Sequence, residues 1–377
     1  VVKVSQSKLP LKDSPKDSPK DPKVSVCLPV YNGSKYLKTA IANISSQSFI
    51  DWELVIRDDG STDLSKEIID EAARADDRIK VVQDQNTRLG LFENYNACIE
   101  AARGTYIKLY AQDDLLESEC LARMVEVLDE KPDVALVTCG KRWIDEDGKE
   151  IEKLVRFKKD VQLKAEEVIV ANLIVLQNWI GEPSTGMFRR KDAGTGLDGR
   201  LYHWGDIDYW FRILQNGDFY YLSDVLCGFR RHSESTTSSN LSGLYFVADL
   251  VRIWKAWGHY LERIGEDEAH YFKRAAERIA LHVDHLVVTE GLTVDALRRA
   301  NPRGQTAFSQ EEVADFREAL FYSEQRITSL MKELIYTANQ LEHREGECKE
   351  LKAAIAQMET SISWKLTKPL RSVRSQF

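Results

Sequence analysis

Between Val24 and Cys139, short apolar runs alternate with amphipathic ones, an order that few folds admit. "KVSVCLPV", "WELVIRDD", "RIKVVQ", "GTYIKLY" and "DVALVTC" each have the length and composition of a strand. Between them, "SKYLKTAIANISSQS" sets Leu37, Ile41 and Ile44 at helical spacing. "STDLSKEIIDEAARA", "LFENYNACIEAAR" and "SECLARMVEVLDEK" read as helices too, with Ser61 or Thr62 placed to cap the first of these three. Strands that return parallel to one another need a crossover, and a helix is the usual one. The alternation therefore predicts an α/β fold with a doubly wound, mostly parallel sheet.

Beyond this region the pattern loosens. Residues 141–238 offer short strands, a helix near "GDIDYWFRILQNG" and a last strand pair near "FYYLSDVLCGFRRH". Residues 240–300 read as helical, and Trp254, Trp257, Tyr260 and Tyr271 fall at spacings that mark a core. A seven-residue repeat then runs through Val313, Leu320, Ile327, Leu334, Leu341, Cys348, Ile355 and Ile362. Its partner column is interrupted at Thr337 and Arg344, which predicts a long helix in an imperfect, self-associating coiled coil. At the other end, "KDSPKDSPKDP" has proline and mixed charge but nothing to build a core. The expected divisions are a disordered linker at 1–22, the α/β domain at 23–238, a helical extension at 239–308, and the long helix with its basic tail at 309–377.

Composition excludes several classes. The net charge of −8 and the lack of a basic face argue against nucleic acid as a partner. The six cysteines, at 27, 98, 120, 139, 227 and 348, form no Cys-x-x-Cys pair, so reduced buried thiols are expected and a zinc site is not. No apolar run reaches the roughly 18 residues of a membrane span; the longest is "VIVANLIVL", Val168 to Leu176. No signal peptide is visible, and the chain opens on Val1, as an excised piece of a longer one would. The expected location is the cytoplasm or the cytoplasmic face of a membrane, with peripheral contact at most.

Ligands of doubly wound sheets bind beyond the carboxyl ends of the strands. Polar clusters sit there in this chain: "PVYNG" after the first strand, "RDDGSTD" after the second and "AQDD" after the fourth. Tyr31 offers a ring for a base, and Asp58 and Asp59 offer acceptors for base N–H groups or ribose hydroxyls. Asp113 and Asp114 supply hard oxygens suited to Mg²⁺ or Mn²⁺, which would bridge a diphosphate. Neither a G-x-x-x-x-G-K-[ST] loop nor a G-x-G-x-x-G turn follows the first strand.

"VSVCLPVYNGSKYLKTAIANISSQSFIDWELVIRDDGSTD" resembles the opening of the family 2 glycosyltransferases, which have the GT-A fold. The resemblance continues through "NTRLGLFENYNACIEAARGTYIKLYAQDD", "WGDIDYWFRI" and "FRRHSES", covering about 24–238. It implies inverting, metal-assisted transfer of a sugar from a nucleotide-diphosphate donor, UDP-linked or similar, to a hydroxyl of a glycan or lipid-linked acceptor. By that resemblance Pro29, Tyr31 and Asn32 line the nucleotide pocket, Asp59 reads the base with Asp58 beside it, and Asp113 and Arg230 also touch the nucleotide. Asp113, Asp114 and His232 match metal-side positions, and Asp206 matches the catalytic base. Two departures stand out: Ala111 replaces the first Asp of the family's D-x-D region, and Gly205 replaces the Glu that normally precedes the base. They leave a second reading open, a decayed transferase domain serving a coiled-coil assembly protein.

"NWIGEPSTGMFRR", 178–190, is placed to shape the donor-sugar or acceptor pocket. No Q-x-x-R-W motif of processive polymerases occurs, so addition of one or a few sugars is expected. "SISWKLTKPLR" resembles a segment at the ends of transferase domains in bacterial surface-polysaccharide assembly proteins.

Overall fold

A computed structural model describes residues 21–82, 88–201, 203–232, 246–268, 270–271 and 274–275. The Lys-Asp-Ser-Pro repeat, the heptads and the basic tail lie outside the described residues.

The N-terminal half follows the alternation. Strands β1 (Val24–Val30), β2 (Trp52–Asp58), β3 (Ile79–Val81) and β4 (Tyr106–Leu109) are joined by helices α1 (Ser34–Ser45), α2 (Ser65–Ala75) and α3 (Leu91–Ala101). All seven residues of β1 are buried, as expected of a central strand with both faces covered. Leu37, Ile41 and Ile44 of α1 are buried with it. The parallel order is β3-β2-β1-β4, so the chain moves outward one way from β1 and then returns to its other side. β1 stays paired with β2 through Val30 but with β4 only through Cys27. That reversal and parting open the crevice into which the polar loops emerge.

The second half is mixed where a mostly parallel sheet was expected. After β5 (Leu115–Leu116) and α4 (Cys120–Glu130) come β6 (Val134–Ile144), β7 (Glu150–Leu154), β8 (Val161–Leu163), β9 (Met187–Arg189) and β10 (Asp218–Arg230). The three-residue β9 slots antiparallel between β4 and β6, and β10 runs parallel to β6. The order reads β3-β2-β1-β4-β9-β6-β10-β5, with β7 on β6 and β8 on β10. A run as short as "MFR" carries no periodic signal, which is why the sequence did not place it. The expected final strand pair is one 13-residue strand with register shifts near Leu222–Cys227. All of "VIVANLIVL" but its last residue, Leu176, falls in helix α5 (Ala165–Val175), and α6 (Gly205–Ile213) forms where "GDIDYWFRI" was read as helical.

By internal contacts the chain forms two units, with boundaries at Asn172, Asn178 and Ser233. In the second unit, the described helix α7 (Phe246–Trp257) and the short helix His259–Glu262 carry the aromatic core. Trp254, Trp257, Tyr260 and Tyr271 are all buried, and the Tyr271 hydroxyl donates to the Leu250 carbonyl at 2.9 Å. No helix among the described residues is long and apolar enough to cross a membrane.

Candidate active site

The loops after β1 and β2 are laced together. Asn32 adopts a left-handed backbone, φ 46°, a conformation asparagine tolerates better than most residues. Its N–H donates to Ser61 Oγ at 2.9 Å, and its Oδ1 accepts from the Thr62 N–H at 2.8 Å. Ser61 and Thr62 therefore do not cap α2; that helix begins at Ser65 with no side-chain cap. Asp58 accepts from the backbone N–H of Ser61, closing the same loop.

Asp59 is buried and pairs with Arg57 at 2.7 Å. It also accepts from the backbone N–H groups of Leu89 and Gly90 at 2.7 and 2.8 Å. Both of its oxygens thus hold the entry to α3. Tyr31, after Pro29 and Val30 of β1, is fixed by Gln112, which accepts from its N–H and donates to its carbonyl, each at 3.0 Å. The Arg88 guanidinium lies 4.1 Å over the Tyr31 ring, a stacking partner that no sequence signal announced.

The Asp113–Asp114 pair divides. Asp113 keeps a partly exposed carboxylate, 2.9 Å from His232 Nε2. Asp114 is buried: Oδ2 accepts from the Ser184 hydroxyl at 2.5 Å and Oδ1 from the Arg230 N–H at 3.0 Å. The Arg230 side chain, read as a nucleotide contact, donates from Nε to the Asp113 carbonyl at 2.7 Å. Its Nη1 donates to the carbonyls of Asp145 and Glu146 at 2.7 and 2.8 Å, so it braces the loop from behind.

No group of three or more His, Cys, Asp or Glu side chains among the described residues is arranged to hold a metal alone. Magnesium and manganese are commonly held by one or two carboxylates plus substrate phosphates. Asp113 and His232 fit such a shared site, while each oxygen of the buried Asp114 already accepts a hydrogen bond, from Ser184 and from the Arg230 N–H.

Asp206 opens helix α6. Its Oδ2 accepts from Asn178 Nδ2 at 2.7 Å and its Oδ1 from the Ile207 N–H at 2.8 Å. Asn178 is itself fixed through the N–H and carbonyl of Gly181, at 2.7 and 3.0 Å. Burial first, and then the charge of Glu182, push the Asp206 carboxyl up to about 7, against the opposing charge of Lys141. Glu182 and Lys141 form an ion pair. A Glu at 205 would require the Phe92 ring to move, because a Cβ there would come within 2.3 Å of it. The second carboxylate near the base therefore comes from "GEPST", a segment the sequence flagged without identifying its members.

"GEPST" also reaches the metal-side loop. Ser184 Oγ accepts from the Ala111 N–H at 3.0 Å while donating to Asp114, and the buried Lys108 donates to the Ser184 carbonyl. One short segment thus braces both ends of the crevice. Asp208, two residues beyond Asp206, pairs with Arg212 at 2.7 Å.

The strand-end loops of an α/β sheet thus carry a carboxylate–imidazole pair and, braced by the same short segment, a raised carboxyl, an arrangement chemically suited to group transfer. The glycosyl transferase family 2 model matches residues 25–193. The uncharacterized protein MT1568 of Mycobacterium tuberculosis is 30% identical over 234 residues, 59% of this chain and 72% of its own. EpsE of Bacillus subtilis, which carries a glycosyltransferase name, is 30% identical over 244 residues, 62% of this chain and 82% of its own. The chain belongs to the family 2 glycosyltransferases. The crystal structure of S. aureus TarS 1-349 in complex with UDP-GlcNAc shares the fold, with TM-score 0.54 and 20% identity over 79% of each chain.

Proposed function

We propose that the chain transfers a sugar from a nucleoside diphosphate donor to an acceptor hydroxyl, with inversion and without processive extension. The observation that carries this reading is Asp206, a carboxyl near 7 held by Asn178 in the same unit as the strand-end loops. In a single displacement the acceptor oxygen attacks the anomeric carbon as the nucleoside diphosphate leaves. The hydroxyl proton passes to Asp206, whose pKa suits uptake at neutral pH. Tyr31, with Pro29 and Asn32 shaping the turn, receives the base beside Arg88. Asp58 meets the nucleoside, while Asp59 places Leu89 and Gly90 at its edge. Asp113 and His232 would hold Mg²⁺ or Mn²⁺ together with the diphosphate, and the ion supplies charge compensation for the leaving group. TuaG of Bacillus subtilis, which is named for teichuronic acid biosynthesis, supports a polysaccharide as acceptor.

Calorimetry with UDP, with and without Mn²⁺, followed by a hydrolysis screen of nucleotide sugars, tests the reading. Metal-enhanced UDP binding and cleavage of at least one donor are expected. Absence of any nucleoside diphosphate binding would favour the non-catalytic assembly protein.

The acid side of the pH profile is a second expected result. A base must be ionised, so transfer should rise with pH and level off above about 7, the value set by burial and Glu182. Glu182→Gln removes a neighbouring negative charge and should move that limb down by about one pH unit. An unmoved limb, read from transfer rates between pH 5 and 9, would remove Glu182 from the site.

A further inference from the structure

Beside the base lies an aromatic ledge that gives the segment at 178–190 partners, Arg156, Phe157 and Tyr221, that none of the assignments above uses. Trp179 directly follows Asn178, the residue bonded to Asp206. Phe157 meets Trp179 edge-on, ring centres 5.5 Å apart, and meets Tyr221 on its other side at 5.4 Å. The Arg156 guanidinium lies 5.0 Å over the Trp179 ring, and the Tyr221 hydroxyl anchors the Arg156 backbone by accepting its N–H at 2.8 Å. Trp179 is half-buried and Arg156 exposed. Arg156 also feels the charge of Glu182, the acid that acts on Asp206. These contacts set ledge and base side by side within one unit.

The ledge has unused donors. Among the described residues, neither the Arg156 guanidinium nor the Trp179 indole N–H has a hydrogen-bond partner, and Glu182 is already paired with Lys141. An aromatic face suits the apolar side of a sugar ring, and a guanidinium suits carboxylate or phosphate oxygens. Resting on the transferase reading, we propose that Arg156 and Trp179 seat the acceptor and select one that carries an anionic group, carboxylate or phosphate, near the attacking hydroxyl. A neutral acceptor would leave the guanidinium without its charged partner.

The test uses the full chain saturated with UDP, so that the donor site is filled. Glucose, glucuronic acid and glucose 6-phosphate serve as probes, with affinities read by ligand-observed NMR. The anionic probes should bind about tenfold tighter than glucose, as expected for a charge-assisted pair. The two anions separate a carboxylate seat from a phosphate seat. Arg156→Met, on an exposed side chain, should erase the preference and leave UDP affinity unchanged. Trp179→Ala should weaken all three probes. The proposal is overturned by equal binding of neutral and anionic probes, by a preference that survives Arg156→Met, or by a parallel loss of UDP affinity that moves Arg156 to the donor. If UDP does not bind at all, the transferase reading fails first, and the probe preference still judges the seat alone.

Discussion

Asp206→Asn should lower transfer by about 10²–10⁴-fold while UDP affinity stays within twofold or so of the parent. The change is nearly isosteric, and the amide oxygen can still accept from Asn178. What is lost is the capacity to take up a proton. Asp208→Asn is the control. Asp208 is buried and pairs with Arg212 at 2.7 Å, so its neutralisation should cost about 1–3 kcal/mol in stability but less than tenfold in rate. Asp206→Asn also has a stability signature. The folded-state value of Asp206, about 7, lies above the ordinary value of 3.8. The folded state therefore binds the extra proton between these values, and stability falls as pH rises from about 4 to about 7. Asn does not titrate, so the variant should gain roughly a few degrees in melting temperature relative to the parent on going from pH 4 to pH 8. Near-normal transfer, or equal losses from the two Asn variants, would remove Asp206 as the base.

The two neighbouring aspartates should separate as cleanly. Asp113→Ala removes a partly exposed carboxylate but keeps the backbone carbonyl to which Arg230 donates. Melting should be almost unchanged, and the metal enhancement of UDP binding should disappear. Asp114→Ala strands the Ser184 hydroxyl and the Arg230 N–H in a buried site. Each buried group left without its partner costs about 1–3 kcal/mol. A melting decrease of roughly 5–10 °C is expected, with donor affinity falling only as the loop loosens. Calorimetry and thermal melts of both variants, side by side, read the difference. A stable Asp114→Ala protein that has lost only its metal response would return Asp114 to the metal.

The alternation of periods placed β1 to β4 and their helices because each element has a long enough repeat to show which face it buries. Polar residues at the strand ends located the crevice for the same reason: after a buried strand, "YNG", "DDGS" and "QDD" can only be loops. The individual roles of those residues were less legible. Asp59 and Asp114 look like free ligands in one dimension, yet Arg57, two positions from Asp59, and Ser184, seventy from Asp114, occupy their oxygens. Gln112, an apparent departure from a motif, is the clamp on Tyr31.

Local periodicity and the ordered motifs by themselves determined the class of fold and the sheet edge at which the polar loops emerge, and nominated Asp206 as the candidate base. Tertiary structure alone decided that β9 enters antiparallel between β4 and β6, so that "GEPST" crosses the crevice. It also decided that Phe92 fills the space a Glu at 205 would need and that Glu182, paired with Lys141, stands near Asp206 instead. The physical reason is range. Helix and strand periods are set by neighbours within a few positions, whereas the charge felt by a carboxyl is set by whatever the completed fold packs against it.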